Sequence, residues 1–172
     1  ALRSQLEILG ATIDQMPPSD SHFMDQHRRV AWVEELIEKD PDLHWMRQYH
    51  DPVHFLGYRE MADLVREAIP VGPLSIVSSV GTGASSAGLV GPLREDDPDV
   101  RLVGVQPFGS VSFGAERFSD PEAIIAGIGS TIHNANVRHD LFDQLHWVSF
   151  SYSMAGAVAL LRSTAVFAGL ST

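Results

Sequence analysis

Val77-Ser78-Ser79-Val80-Gly81-Thr82-Gly83-Ala84-Ser85-Ser86-Ala87-Gly88 is the stretch on which the fold turns. An apolar run over 74–80 passes without a spacer into two glycines and a cluster of small hydroxyl residues, then into a segment compatible with a helix. Strand, tight loop and helix N-terminus follow one another. Glycines let the backbone approach an anion closely, the free N–H groups of a first helical turn point at it, and the helix dipole favours negative charge there. The loop reads as a phosphate cradle. On the loop alone an ordinary βα turn is the alternative, because short glycine patterns acquire meaning only from their context.

Outward from the loop, a helix is expected over 84–94, kinked or ended early by Gly91-Pro92, since proline removes a hydrogen bond and collides with the preceding turn. Asp97-Pro98-Asp99 turns the chain into a second strand over 100–107. Upstream, apolar residues at 2, 6 and 9 give a helix over 1–9 that ends at Gly10, and Ala11-Thr12-Ile13 reads as a short strand. Residues 22–39 suit an amphipathic helix stopped by Asp40-Pro41. Residues 44–52 read as a crossing segment, and Leu56, Met61, Leu64, Val65 and Ala68 as a helix ending before Pro70. Downstream, one or two helical turns are expected over 120–126, a strand over 147–150, a helix over 153–165 buried on its Val158, Leu160 and Leu161 side, and a last strand over 166–170. The 108–119 segment, with exposed Phe108 and Phe113, borders a pocket or a subunit interface. Strands alternating with helices give an α/β fold, a mostly parallel sheet with helices on both faces, whose ligand sits at the carboxyl ends of the strands.

Length and composition bound the function. The 172 residues, 44% of them hydrophobic, suffice for one domain with a real core. No apolar run approaches the roughly 20 residues that span a bilayer, and the N-terminus lacks a basic-then-apolar signal pattern, so the expectation is a soluble, cytoplasmic chain without a membrane partner. A formal charge of −10 argues against a nucleic-acid partner, which needs a basic footprint. Zero cysteines exclude disulfides and thiolate metal sites. His50 with His54, His22 with His27, and His133 with His139 lack a further ligand at metal spacing, so no metal site is assigned.

The order of these pieces resembles the cysteine synthase (O-acetylserine sulfhydrylase-like) family of fold-type II pyridoxal-phosphate (PLP) enzymes. Gly81-Thr82-Gly83-Ala84-Ser85 is similar to that family's Gly-Thr-Gly-Gly-Thr phosphate loop, and Val103-Gly104-Val105-Gln106-Pro107 to the strand that follows it. Leu6-Glu7-Ile8-Leu9-Gly10-Ala11-Thr12-Ile13, Gln48-Tyr49-His50-Asp51-Pro52, Ala126-Gly127-Ile128-Gly129-Ser130 and Val166-Phe167-Ala168-Gly169-Leu170-Ser171-Thr172 resemble further family segments in the family's order. The resemblance implies a tryptophan synthase β-like fold, incomplete at both ends, with residues 1–50 a remnant of the N-terminal lobe and crossing segment, and 51–172 the main phosphate-binding lobe. It implies β-replacement or β-elimination on a serine-type amino acid, and a homodimer. Gly81, Thr82, Gly83, Ala84 and Ser85 would hold the cofactor phosphate, Ser171 the pyridine nitrogen, Gln48 the substrate carboxylate, and Gly127 would line the entrance. For Gln48 and Gly127 an ordinary loop contact is the alternative.

Departures from the family pattern matter too. Ala84 replaces a glycine, Ser85 a threonine, and Gln106 stands where the family usually has glutamate. The family's Schiff-base lysine is expected upstream of Ala1, because the only lysine, Lys39, lies on the charged face of a helix among Glu34, Glu35, Glu38 and Asp40. No catalytic residue is therefore assigned within the chain, which reads as part of a longer enzyme, inactive alone. Two other readings stay open: a nucleotide-binding α/β domain, for which Gly88 comes too late and Gln106 is not acidic, and a non-catalytic module that keeps the fold.

Overall fold

A computed structural model describes residues 2–70, 72–115, 125, 127–169 and 171. The chain divides into two compact units, Ala1–His44 and Trp45–Thr172.

In the first unit, α1 (Leu2–Ile8) ends as expected, with Gly10 at φ +89°. Helix α2 (His22–Lys39) starts at Ser21, whose Oγ accepts the Met24 N–H at 3.4 Å and so satisfies one of the helix's free donors. Trp32 Nε1 donates to Asp14 Oδ2 at 3.1 Å, tying the connecting segment to this helix. The strand expected at Ala11-Thr12-Ile13 does not form: those residues are coil. A strand exists only as a member of a ladder, and the described residues of this unit hold no second strand to pair with it.

In the second unit a short turn of helix, α3 (Val53–Leu56), precedes α4 (Arg59–Ala68), β1 (Ser75–Ser79), α5 (Ala84–Asp96), β2 (Arg101–Pro107), β3 (Gln144–Val148) and α6 (Phe150–Thr164). The three strands form one parallel sheet in the order β1-β2-β3, with Ser79 opposite Val105 and Gln106 opposite Trp147. Parallel neighbours need a crossover, and α5 supplies it between β1 and β2. Leu102, Gly104 and Gln106 alternate as the buried face of β2. The core gathers Ala62 of α4, Val90 and Leu93 of α5, Val100 and Leu102. Leu93 and Leu102 are fully buried, each contributing about 1.5–3 kcal/mol relative to exposure.

Helix α5 does not end at Gly91-Pro92; it runs on to Asp96. Residues before proline usually avoid helical angles because their Cβ strikes the proline Cδ, and Gly91 has no Cβ. The Arg66 guanidinium, which also pairs with Asp96 at 2.8 Å, donates to the Pro92 carbonyl and holds this turn to α4. Gly88, too late for a dinucleotide fingerprint, serves packing instead: a Cβ there would lie 2.7 Å from the Phe55 carbonyl oxygen of α3. At its far end α5 is stapled to the sheet by Arg94, which donates to the Val100 and Leu141 carbonyls, each at 2.8 Å, and to Asp143 Oδ2 at 2.6 Å.

Further differences lie downstream. The strand expected over 147–150 begins at Gln144 and stops at Val148, because pairing with Val103 through Pro107 sets its limits, and Phe150 already belongs to α6. Helix α6 has no buried residue: on the side expected to be buried, Val158 is 38% and Leu161 39% exposed and Leu160 is only half-buried. Residues 166–169 are coil without a strand partner among the described residues, correcting the last expected strand as far as it is described. Most of the helical turn expected over 120–126 lies outside the described residues; Ile125 is buried coil. Phe108 is 48% exposed as expected, whereas Phe113 is only half-exposed and packs edge-on against His139 and Phe142.

Candidate functional site

Gly83 is the residue that shapes the loop between β1 and α5. It takes φ +88°, ψ −8° at the position just before α5, a left-handed conformation that costs an L side chain about 1–2 kcal/mol. A Cβ there would lie 2.5 Å from the Asn136 carbonyl oxygen and 2.6 Å from Val137 Cα. Both strain and space demand glycine. A Cβ at Gly81 would meet the Gly127 carbonyl oxygen at 3.1 Å.

Within the loop, Thr82 Oγ1 accepts the Ala84 N–H at 3.2 Å and keeps its own proton free to donate. The Gly83 carbonyl accepts from Ala87 N–H at 3.1 Å and from the buried Ser86 Oγ at 3.0 Å, which fixes the peptide leading into α5. The remaining N–H groups of the first helical turn have no partner inside the helix, as at every helix start. Ser85 is half-buried beside them. An anion with several acceptor oxygens suits this arrangement, since donors and the positive end of the helix dipole converge on it.

Three other segments surround the loop. The Gly129 N–H donates to the Val80 carbonyl at 2.7 Å, laying 127–129 across the carboxyl end of β1, with Gly127 at φ +94° and exposed. A Cβ at Gly127 would stand 3.8 Å from Ser171 Cβ and Oγ, so these two expected site residues are neighbours. Gln48 arrives through its backbone: its carbonyl accepts from Asn136 Nδ2 at 2.9 Å. The structure thus joins the Gly81, Thr82, Gly83, Ala84 and Ser85 loop to the Gln48 segment through Asn134, Asn136 and Val137, and to Gly127 with its neighbour Ser171 through the Gly129–Val80 hydrogen bond.

Asn134 and Asn136 were not singled out from the sequence. Both are buried, at 5% and 2% exposure. Asn134 Nδ2 donates to the Gly81 carbonyl at 3.0 Å; Asn136 Nδ2 donates to the Gln48 and Asp51 carbonyls, each at 2.9 Å, and its N–H to the Tyr49 carbonyl at 3.1 Å. Their one sequence signal is a pair of amides two apart, just after a glycine-rich turn. Next to them the exposed Arg138 guanidinium grips Asp140 at 3.0 and 3.1 Å, and chiefly through these hydrogen bonds holds that carboxyl below its ordinary range.

Gln106, at the end of β2, is fully buried, and both polar atoms of its amide lack a partner among the described residues; Trp147 Nε1 opposite is in the same condition. Lys39 pairs with Glu35 at 3.5 Å, lies over the Trp32 ring and is 68% exposed.

The geometry agrees with known proteins. N-(2-amino-2-carboxyethyl)-L-glutamate synthase of Ralstonia nicotianae is 30% identical over 169 residues, covering 95% of this chain and 48% of that protein. The enzyme of the same name from Cupriavidus metallidurans is 26% identical over 166 residues, with the same coverage. The chain therefore spans about half the length of the curated relatives it matches. Among solved structures, an O-acetylserine dependent cystathionine beta-synthase from Helicobacter pylori superposes with a TM-score of 0.84 at 25% identity, over 98% of this chain and 53% of that one. An O-ureido-L-serine synthase gives 0.82 at 21% identity over 98% and 52%, a likeness of fold. A family profile described as pyridoxal-phosphate dependent enzyme matches residues 2–172, and with a glycine loop at the carboxyl end of a parallel strand, the chain belongs to that family.

Proposed function

We propose that this chain forms the phosphate-holding part of a PLP-dependent enzyme that carries out β-replacement or β-elimination on a serine-type amino acid. The observation that carries the reading is Gly83: left-handed, with no room for a Cβ, at the start of α5 and the end of β1. The residues fit the cofactor. Thr82, Gly83 and Ser85 N–H groups and the Thr82 and Ser85 hydroxyls would hold the phosphate, with Gly81 and Ala84 shaping the loop around it. Ser171 would meet the pyridine nitrogen with a neutral hydroxyl, which leaves that nitrogen unprotonated. When bound, PLP supplies an electron sink for the bonds broken at the amino acid's carbon atoms. Gln48 would face the substrate carboxylate, and Gly127, lacking a side chain, keeps the entrance open.

Residues 51–172 would be the main lobe and 1–50 part of the other, in a cytoplasmic homodimer; that portion rests on the family resemblance alone. Lys39 would not be the amine that anchors the cofactor: it pairs with Glu35 and lies over the Trp32 ring on an exposed helix face. Fluorescence titration of the intact protein with PLP and, separately, with NAD tests the reading. Saturable binding of PLP but not NAD is expected; preference for NAD, or indifference to PLP, would overturn it.

A further inference from the structure

Asn134 and Asn136 form a two-pronged clasp, with one prong on the cradle and the other on the Gln48 segment 85 to 88 residues away in sequence. In a planar trans peptide the C=O and N–H point in opposite directions. Drawing the Gly81 carbonyl toward Asn134 Nδ2 therefore turns the Thr82 N–H to the other side of that peptide plane. In the same way, Asn136 holds the Gln48 carbonyl and directs the Tyr49 N–H away from itself. One amide nitrogen bridging the Gln48 and Asp51 carbonyls also closes the intervening turn, which the Asn136 N–H grips again at Tyr49. Both side chains are nearly inaccessible to water, so neither touches a ligand from solvent; each acts through the backbone it holds.

We infer that Asn134 is a positioning residue for the cofactor phosphate and Asn136 a positioning residue for the amino-acid substrate, an inference that rests on the function proposed above. Because the Asn136 carbonyl and Val137 Cα also form the wall behind Gly83, the turn over 134–137 sets the spacing between the two binding surfaces. Backbone alone provides that wall, so side-chain truncation separates the two roles.

The test uses the protein at its natural length. Dissociation constants are measured for PLP by absorbance titration and, at saturating PLP, for L-serine, with the 31P resonance of bound cofactor recorded alongside. Asn134→Ala is expected to weaken PLP about fivefold and to shift the 31P resonance while leaving L-serine within twofold; Asn136→Ala is expected to weaken L-serine about fivefold and leave PLP within twofold. Equal effects of both variants on both ligands, or none, would overturn the inference. A wild type that binds no PLP would instead overturn the proposed function. If either variant fails to fold, 15N NMR of the wild type decides: the Asn134 side-chain amide and Thr82 N–H should shift together on PLP addition, and the Asn136 side-chain amide on L-serine addition. Unmoved resonances would count against the assignment.

Discussion

Gly83→Ala puts a single methyl where the structure has no place for one. The left-handed backbone costs alanine about 1–2 kcal/mol. The new Cβ would also stand 2.5 Å from the Asn136 oxygen, 2.6 Å from Val137 Cα and 2.7 Å from the Asn136 carbonyl carbon. All three are main-chain atoms, so no flexible side chain can swing away; overpacking of this kind costs about 1–3 kcal/mol. Together the destabilisation is about 2–5 kcal/mol, and at roughly 2–4 °C per kcal/mol for a chain of this size the melting temperature falls by roughly 4–20 °C. Circular dichroism melts of the wild type and variant measure it. Gly156→Ala serves as the control: nothing lies within 4 Å of the added Cβ in the interior of α6, so a gain of about 0.5–1 kcal/mol is expected. A Gly83→Ala protein that melts like the wild type would refute both the left-handed loop and the Asn136 wall behind it.

Arg94→Ala abandons two carbonyls and the Asp143 carboxylate, and should cost about 2–4 kcal/mol in denaturant unfolding, whereas Arg59→Ala, losing an exposed pair with Glu95, should cost about 0–1. Gln106→Leu removes two buried amide atoms without partners among the described residues, so chemical denaturation should show equal or higher stability; a large loss would reveal a partner for that amide. Ser85→Ala should raise the PLP dissociation constant roughly 2- to 12-fold through one lost hydrogen bond, read by fluorescence titration. Asp140, held below its ordinary range by Arg138, contributes stability that is present above the normal carboxylate pKa and lost as pH falls through the lower folded one; because the pair is exposed and screened by solvent, Asp140→Asn should leave the acid unfolding midpoint nearly unchanged.

The β1–loop–α5–β2 unit was legible because its signals are local: β-branched residues, then glycines, then small helix formers within one stretch. The early end expected at Pro92 does not occur because proline's effect depends on its neighbour, and Gly91 spares the collision that a side chain would cause. Residues 11–13 and 166–169 carry strand composition but have no ladder partner among the described residues, and composition cannot supply one. The start of β3 at Gln144 is dictated by register with β2, not by where its apolar residues cluster. Asn136 was invisible for a related reason. Its partners Gln48 and Asp51 lie far away in sequence, and an asparagine that grips distant carbonyls looks no different from one that faces water.

The central claim, that the Gly81 to Ser85 loop holds the phosphate of PLP, is tested most directly by equilibrium dialysis of PLP against the intact protein and its Gly83→Val variant. Saturable retention by the wild type, with loss of that retention in a variant shown by its melt to remain folded, is the predicted result. Equal retention by both proteins would place the cofactor elsewhere and contradict the account.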